Sequence, residues 1–137
     1  MLEIRSVPKP LPLVGVIDPD PEARRGLRAL LNRNGVDVST YDSAESFLTT
    51  SNGPTPSCLF VDVLLPGMSG LDLLRRLRHA GNDVPVVLLA DESDVPTAVA
   101  AMREGATDFI EKPYGDVAVM KQVTKLLRRT RSTPPRT

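Results

Sequence analysis

Six ionisable side chains stand at or just beyond the ends of short apolar runs: Asp18 and Asp20, Asp62, Asp91 and Glu92, and Lys112. Carboxylates gathered in one place repel each other unless a cation neutralises them, and a hard divalent metal is their natural counterion. Magnesium suits such a set best, because it accepts one or two carboxylates and completes its shell with water and phosphoryl oxygens. The chemistry available to such a group is attack by a carboxylate on phosphorus, with metal and lysine charge opposing the equatorial oxygens and a mixed acyl phosphate as product. These residues can cooperate only if the runs before them are strands of one parallel sheet, whose carboxyl ends share a rim.

The flanking sequence supplies that sheet. Leu13 to Ile17, Cys58 to Val61 and Val86 to Leu89 are continuous hydrophobic runs, as expected of strands buried on both faces, while Val36 to Thr40 and Thr107 to Glu111 are more mixed and suit positions nearer an edge. Amphipathic stretches separate them, giving five βα units. In the first helix Ala23, Leu27, Leu30 and Leu31 share one face, with Asp20 placed as N-cap and Pro21 at the first helical position. Asp42 with Glu45 and Ser69 with Asp72 read as capping boxes, and Asp94 as the cap of the fourth helix. Gly35, Gly81 and Gly105 are placed to close helices. The fifth helix is expected over about 116–129, so the chain divides into an N-terminal arm (1–12), one domain (13–130) and a basic, proline-containing tail or linker (131–137).

Composition narrows the function classes. A chain of 137 residues with 41% hydrophobic content supports a single core. Lys plus Arg and Asp plus Glu number 17 each, so no whole-chain field of one sign exists to draw in nucleic acid or an anionic membrane. Cys58, the single cysteine, sits in an apolar run and offers neither a disulfide framework nor a thiolate metal cluster. No stretch reaches bilayer-spanning length, and the expectation is a soluble, cytoplasmic protein. His79 falls among Arg75, Arg76 and Arg78 on the polar side of the third helix, and Arg128, Arg129 and Arg131 near a helix C-terminus oppose the dipole there.

The run Leu59-Phe60-Val61-Asp62-Val63-Leu64-Leu65-Pro66-Gly67-Met68-Ser69-Gly70 resembles the phosphoacceptor segment of the CheY-like receiver domains of bacterial response regulators, and Asp108-Phe109-Ile110-Glu111-Lys112-Pro113 resembles their fifth strand. With Asp18 the resemblance covers about 13–130. Asp94-Val95-Pro96 and the Ala98 to Met102 stretch are similar to receivers that precede a helix-turn-helix output domain, as in nitrogen-fixation regulators. The resemblance implies a flavodoxin-like α/β fold, (βα)5 and doubly wound, with a five-stranded parallel sheet in the order 2-1-3-4-5 and helices on both faces. It implies that Asp62 takes a phosphoryl group from a sensor histidine kinase, that Lys112 pairs with it, and that Asp18, Asp62 and the Leu64 carbonyl hold Mg2+. It further implies a cis Lys112-Pro113 bond, a homodimer through the fourth and fifth helices, and a C-terminal DNA-binding output domain beyond this chain. Enzymatic activity is expected only as self-phosphorylation and dephosphorylation.

Two positions depart from the family pattern. Pro19 stands where a second acidic metal ligand is usual, leaving Asp20 to swing in from its cap, water to fill the gap, or metal affinity to fall. Ala90 stands where a Ser or Thr hydroxyl normally binds the phosphoryl group, and Phe109 occupies the aromatic switch position without a hydroxyl. Both losses point to weakened or lost phosphorylation, with a phosphorylation-independent interaction module as the alternative. A second alternative is a haloacid-dehalogenase-type phosphohydrolase with Asp18 as nucleophile and Asp20 as general acid, against which Glu22 and the short chain argue.

Overall fold

Each expected apolar run becomes a strand, and all pair in parallel. The computed structural model describes residues 12–50 and 53–132. In chain order the elements are β1 (Leu13–Ile17), α1 (Pro21–Arg33), β2 (Asp37–Tyr41), α2 (Ala44–Thr49), β3 (Cys58–Asp62), α3 (Gly70–His79), β4 (Val86–Ala90), a short 3-10 turn (Glu92–Asp94), α4 (Val95–Met102), β5 (Asp108–Glu111) and α5 (Asp116–Ser132). The strand order is β2-β1-β3-β4-β5. Its reversal between β1 and β3 creates the crevice at the carboxyl ends where ligands bind in such sheets.

Alternation along the strands divides the core in two. Cys58, Phe60, Val87 and Leu89 join Leu27, Leu30 and Leu31 of α1 and Val119, Val123 and Leu126 of α5 on one face. Leu59, Val61, Leu88 and Ala90 join Leu73, Leu74 and Leu77 of α3 and Ala98 and Ala101 of α4 on the other. All five residues of β3 and of β4 are buried, which explains why their sequences are apolar without a break.

The local signals hold with some corrections. Asp20 caps α1 by accepting from the Glu22 N–H, and Ser69 caps α3 by accepting from the Asp72 N–H. Ser43, not Asp42, caps α2, since its hydroxyl accepts from the Ser46 N–H. The Glu45 side chain turns away from the helix backbone to accept from the Met68 N–H at 2.7 Å, tying α2 to the loop after β3. Asp94 occupies the N-cap position of α4 but its side chain makes no capping bond. Val36 precedes β2 because its N–H returns to the Leu31 carbonyl and closes α1. Thr107 precedes β5, and its hydroxyl instead accepts from the Val86 N–H. Gly35, Gly81 and Gly105 take positive φ, as expected of residues that end helices. The helix α5 runs to Ser132, past the expected boundary, so its last turn takes up the start of the anticipated tail. The expected N-terminal arm (apart from residue 12) and the rest of the tail lie outside the described residues.

Candidate functional site

Three strands deliver three charged groups to one point. Asp18 follows β1 directly and is fully buried, Asp62 ends β3 at 6% exposure, and Lys112 follows β5. The Lys112 Nζ donates to Asp62 Oδ2 at 2.5 Å and lies 3.7 Å from Asp18 Oδ2. The Lys112 main-chain N–H donates to the Ala90 carbonyl at 2.8 Å, which fixes the residue against β4, and the Lys112-Pro113 peptide bond is cis.

Each carboxylate is held from the backbone. Asp62 Oδ1 accepts from the Leu64 N–H at 2.9 Å, turning the chain sharply after β3, and Asp18 Oδ1 accepts from the Asp20 N–H at 2.9 Å. Arg24 of α1 donates to the Asp18 carbonyl at 2.7 Å and so ties the helix to the end of β1. The second oxygen of Asp18 is buried without a hydrogen-bond partner among the described residues. A buried carboxylate oxygen in that state is costly unless a cation or donor reaches it.

Burial raises the Asp18 carboxyl above its ordinary pKa, opposed by the Asp20 N–H and by Lys112 and reinforced by Asp62 and Asp20. Burial pulls the Lys112 ammonium down, but its bond to Asp62 and the charges of Asp18, Asp62 and Asp91 outweigh this and raise it. Between the ordinary and the raised pKa of Asp18, the folded chain keeps a proton that the unfolded chain has released. Stability therefore falls as pH rises through that interval and stays lower above it. Asp18→Asn removes this titration, and in the presence of a chelator the variant is expected to melt a few degrees higher than the unsubstituted chain at pH 7. The gain should vanish below about pH 4, where both states of Asp18 are protonated. Thermal melts at the two pH values check this, and a variant that melts lower at pH 7 refutes it.

Asp20 is exposed and engaged as the α1 cap, and Pro19 beside it has no side-chain oxygen to offer. The side chain of Leu64 is 59% exposed. Ala90 is fully buried with no donor to offer, and Phe109 is half-buried against the α3 and α4 side of the core. Among the described residues no group of three or more His, Cys, Asp or Glu side chains converges to hold a metal ion. The sequence reading passed over Tyr114, which is half-buried and lines a cavity with Asp20, Ala23, Asp91, Lys112 and Pro113. Its position two residues after Lys112 was the available signal. Burial raises its phenol, as does the charge of Asp18, so the hydroxyl stays a hydrogen-bond donor.

A doubly wound sheet with this acid and lysine rim defines a class, and comparison with known proteins agrees. The response regulator receiver domain family matches residues 14–124, and the chain belongs to that family, whose members are signalling modules of two-component systems rather than conventional enzymes. It is 40% identical over 124 residues to the transcriptional regulatory protein FixJ of Azorhizobium caulinodans, a match covering 90% of this chain and 58% of FixJ. It is also 40% identical over 112 residues to the C4-dicarboxylate transport transcriptional regulatory protein DctD of Pseudomonas aeruginosa, covering 82% of this chain and 24% of DctD. Full-length FixJ from B. japonicum superposes with a TM-score of 0.81 at 35% identity, over 86% of this chain and 58% of that one. The chain thus spans little more than half of the FixJ relatives and about a quarter of DctD. These matches agree with the resemblance to nitrogen-fixation regulators. Among the described residues no helix is long and apolar enough to cross a membrane.

Proposed function

We propose that Asp62 is the phosphoacceptor of this receiver, taking the phosphoryl group of a kinase phosphohistidine, with Lys112 as its paired cation. The observation that carries this reading is the 2.5 Å contact between Lys112 Nζ and Asp62 Oδ2 at the rim of the parallel sheet. Asp62 supplies the attacking oxygen. Lys112 balances the charge that builds on the phosphoryl oxygens, and the near-complete burial of Asp62 and Asp18 strengthens that interaction. Two carboxylates with a vacant Asp18 oxygen fit magnesium better than a metal needing a closed protein cage. Asp18, Asp62 and the Leu64 carbonyl would hold the ion, which when bound supplies positive charge against the phosphoryl oxygens.

Ala90 and Pro19 make the phosphorylated state less favoured than in a receiver with the full set of contacts. A hydrogen bond to a charged group contributes about 1.5–3 kcal/mol, so each missing contact weighs on the equilibrium. Exposed Val99 and Met102 on α4 and Val117 on α5 support a homodimer through those helices. The greater length of the transcriptional regulators it resembles supports an output domain joined to this module.

Incubation with phosphoramidate or acetyl phosphate and magnesium, followed by intact mass and peptide mapping, is expected to show partial labelling at Asp62. Ala90→Thr should raise the labelled fraction at steady state roughly tenfold by restoring one charge-assisted bond. Absence of labelling, together with no chemical-shift change on adding beryllofluoride, would leave the phosphorylation-independent interaction module as the function.

A further inference from the structure

The segment between β3 and α3, residues 63–69, carries the Leu64 carbonyl and is anchored from another part of the fold. At its start the Val63 N–H donates to the Leu89 carbonyl at 2.9 Å, and the Leu64 N–H donates to Asp62 Oδ1 at 2.9 Å. Further along, the Met68 N–H donates to Glu45 Oε2 at 2.7 Å, and among the described residues this is the only hydrogen bond that reaches residues 64–68 from a different element. Glu45 passes Gly67 to make it. A Cβ at that glycine would stand 2.6 Å from Glu45 Oε2 and 3.2 Å from its carboxyl carbon, and Gly67 takes a φ of 73°, so residue 67 suits the carboxylate in volume and in backbone conformation. The other end of the contact is firmly based. Ala44, beside Glu45, is fully buried, and Phe47 of the same helix packs on the core and meets the Tyr41 ring edge-on at 5.2 Å. Between Leu64 and Met68 lie Leu65, Pro66 and Gly67, and the ring of Pro66 fixes its own φ and keeps Leu65 extended. A short, stiff tether therefore joins the residue that Glu45 holds to the residue whose carbonyl faces the site.

We propose that Glu45 is a positioning residue of the phosphoacceptor site: through the Met68 N–H it fixes the loop that presents the Leu64 carbonyl to magnesium. The inference rests on the reading of Asp62 as the acceptor, with Asp18, Asp62 and the Leu64 carbonyl around the ion. An octahedral magnesium shell tolerates little error in the placement of its oxygens, so a carbonyl on a loop that shifts is a weaker ligand than one held in register. Apolar contacts of Leu65 and Met68 keep the loop against the core, but they do not set the direction of its peptide groups. A hydrogen bond does, because its strength depends steeply on angle. Glu45 hydrogen-bonds to none of Asp18, Asp62 and Lys112, so its effect passes through the backbone of the loop.

Glu45→Ala and Glu45→Gln separate the hydrogen bond from the charge, since both remove the carboxylate and only the second keeps an oxygen that accepts from Met68. Magnesium is titrated into the full chain and amide chemical shifts are followed, which gives a dissociation constant without any phosphoryl transfer. E45A is expected to weaken magnesium binding about threefold, and E45Q by no more than about 1.5-fold. The magnesium concentration that gives half-maximal labelling by acetyl phosphate or phosphoramidate should rise in E45A by the same factor as the dissociation constant. Thermal melts accompany the titrations, because a purely structural role lowers the melting temperature of E45A and leaves its magnesium affinity where it was. Equal dissociation constants for E45A and the unsubstituted protein, or equal weakening in E45A and E45Q, overturn the positioning role while leaving Asp62 as acceptor. An unsubstituted protein that neither binds magnesium nor takes up label overturns both.

Discussion

Asp62→Asn protein, offered any of these donors with magnesium, takes up no phosphoryl group, a loss of at least about a hundredfold as expected when a nucleophile is removed. The amide oxygen of Asn still accepts from the Leu64 N–H, so the turn after β3 keeps its hydrogen bond. Lys112 loses its 2.5 Å partner but retains Asp18 at 3.7 Å, so its ammonium is not left without a counterion. The variant also removes a negative charge next to the buried Asp18. Its melting temperature should therefore be at or above that of the unsubstituted chain, which separates lost chemistry from lost structure. Labelling that survives D62N and disappears in Asp18→Asn would instead favour a phosphohydrolase-type nucleophile at Asp18. The engagement of Asp20 in capping α1, where its oxygen accepts from Glu22, argues against its service as the general acid such an enzyme needs.

The second large effect concerns a residue with no side chain. A Cβ on Gly70 would stand 2.3 Å from the Asp62 carbonyl oxygen and 3.1 Å from Val63 Cα, both backbone atoms that cannot swing aside. The start of α3 presses directly on the end of β3, and the Gly70 N–H donates to the Val63 carbonyl at 3.0 Å across that junction. Gly70→Ala should cost about 3 kcal/mol by overpacking and lower the melting temperature by roughly 10 °C. It should also slow phosphoryl transfer by up to about a hundredfold, because the segment carrying Asp62 must move. Gly26→Ala in α1 is the control. An added Cβ there meets nothing within 4 Å, so the same chemical change should be neutral or stabilise by about 0.5–1 kcal/mol. Equal melting temperatures for G70A and the unsubstituted chain would contradict the contact.

What could be read without coordinates follows a physical division. Strand identity in β1, β3 and β4 was legible because a strand buried on both faces leaves no polar residue to confuse the pattern, and the convergence of Asp18, Asp62 and Lys112 followed from the rule that such strands share a rim. Asp42 and Ser43 are adjacent and equally good caps by type, so only backbone geometry distinguishes them. Glu45 reads locally as part of a capping box, yet its partner is Met68, 23 residues away, and no local pattern carries that information. Asp20 illustrates the converse. Its two candidate roles are compatible with the same residue type, and the direction of one side chain makes it a cap. The cavity beside Lys112 was hidden for a related reason, since Tyr114 and Asp91 belong to different loops whose approach depends on how β4 and β5 pair.

The three charged groups of the rim come from chain segments separated by about forty to fifty residues, joined through strand neighbours that are not consecutive in sequence. During synthesis on the ribosome, Asp18 and Asp62 both emerge while the ammonium that must sit between them has yet to be translated. A nascent chain halted before β5 therefore carries two acids without their cation, and is expected to react more slowly with phosphoryl donors. If residue 62 is the acceptor, its full constellation is complete only with the final strand, and donor labelling of arrested chains would then serve as a clock for completion of the sheet.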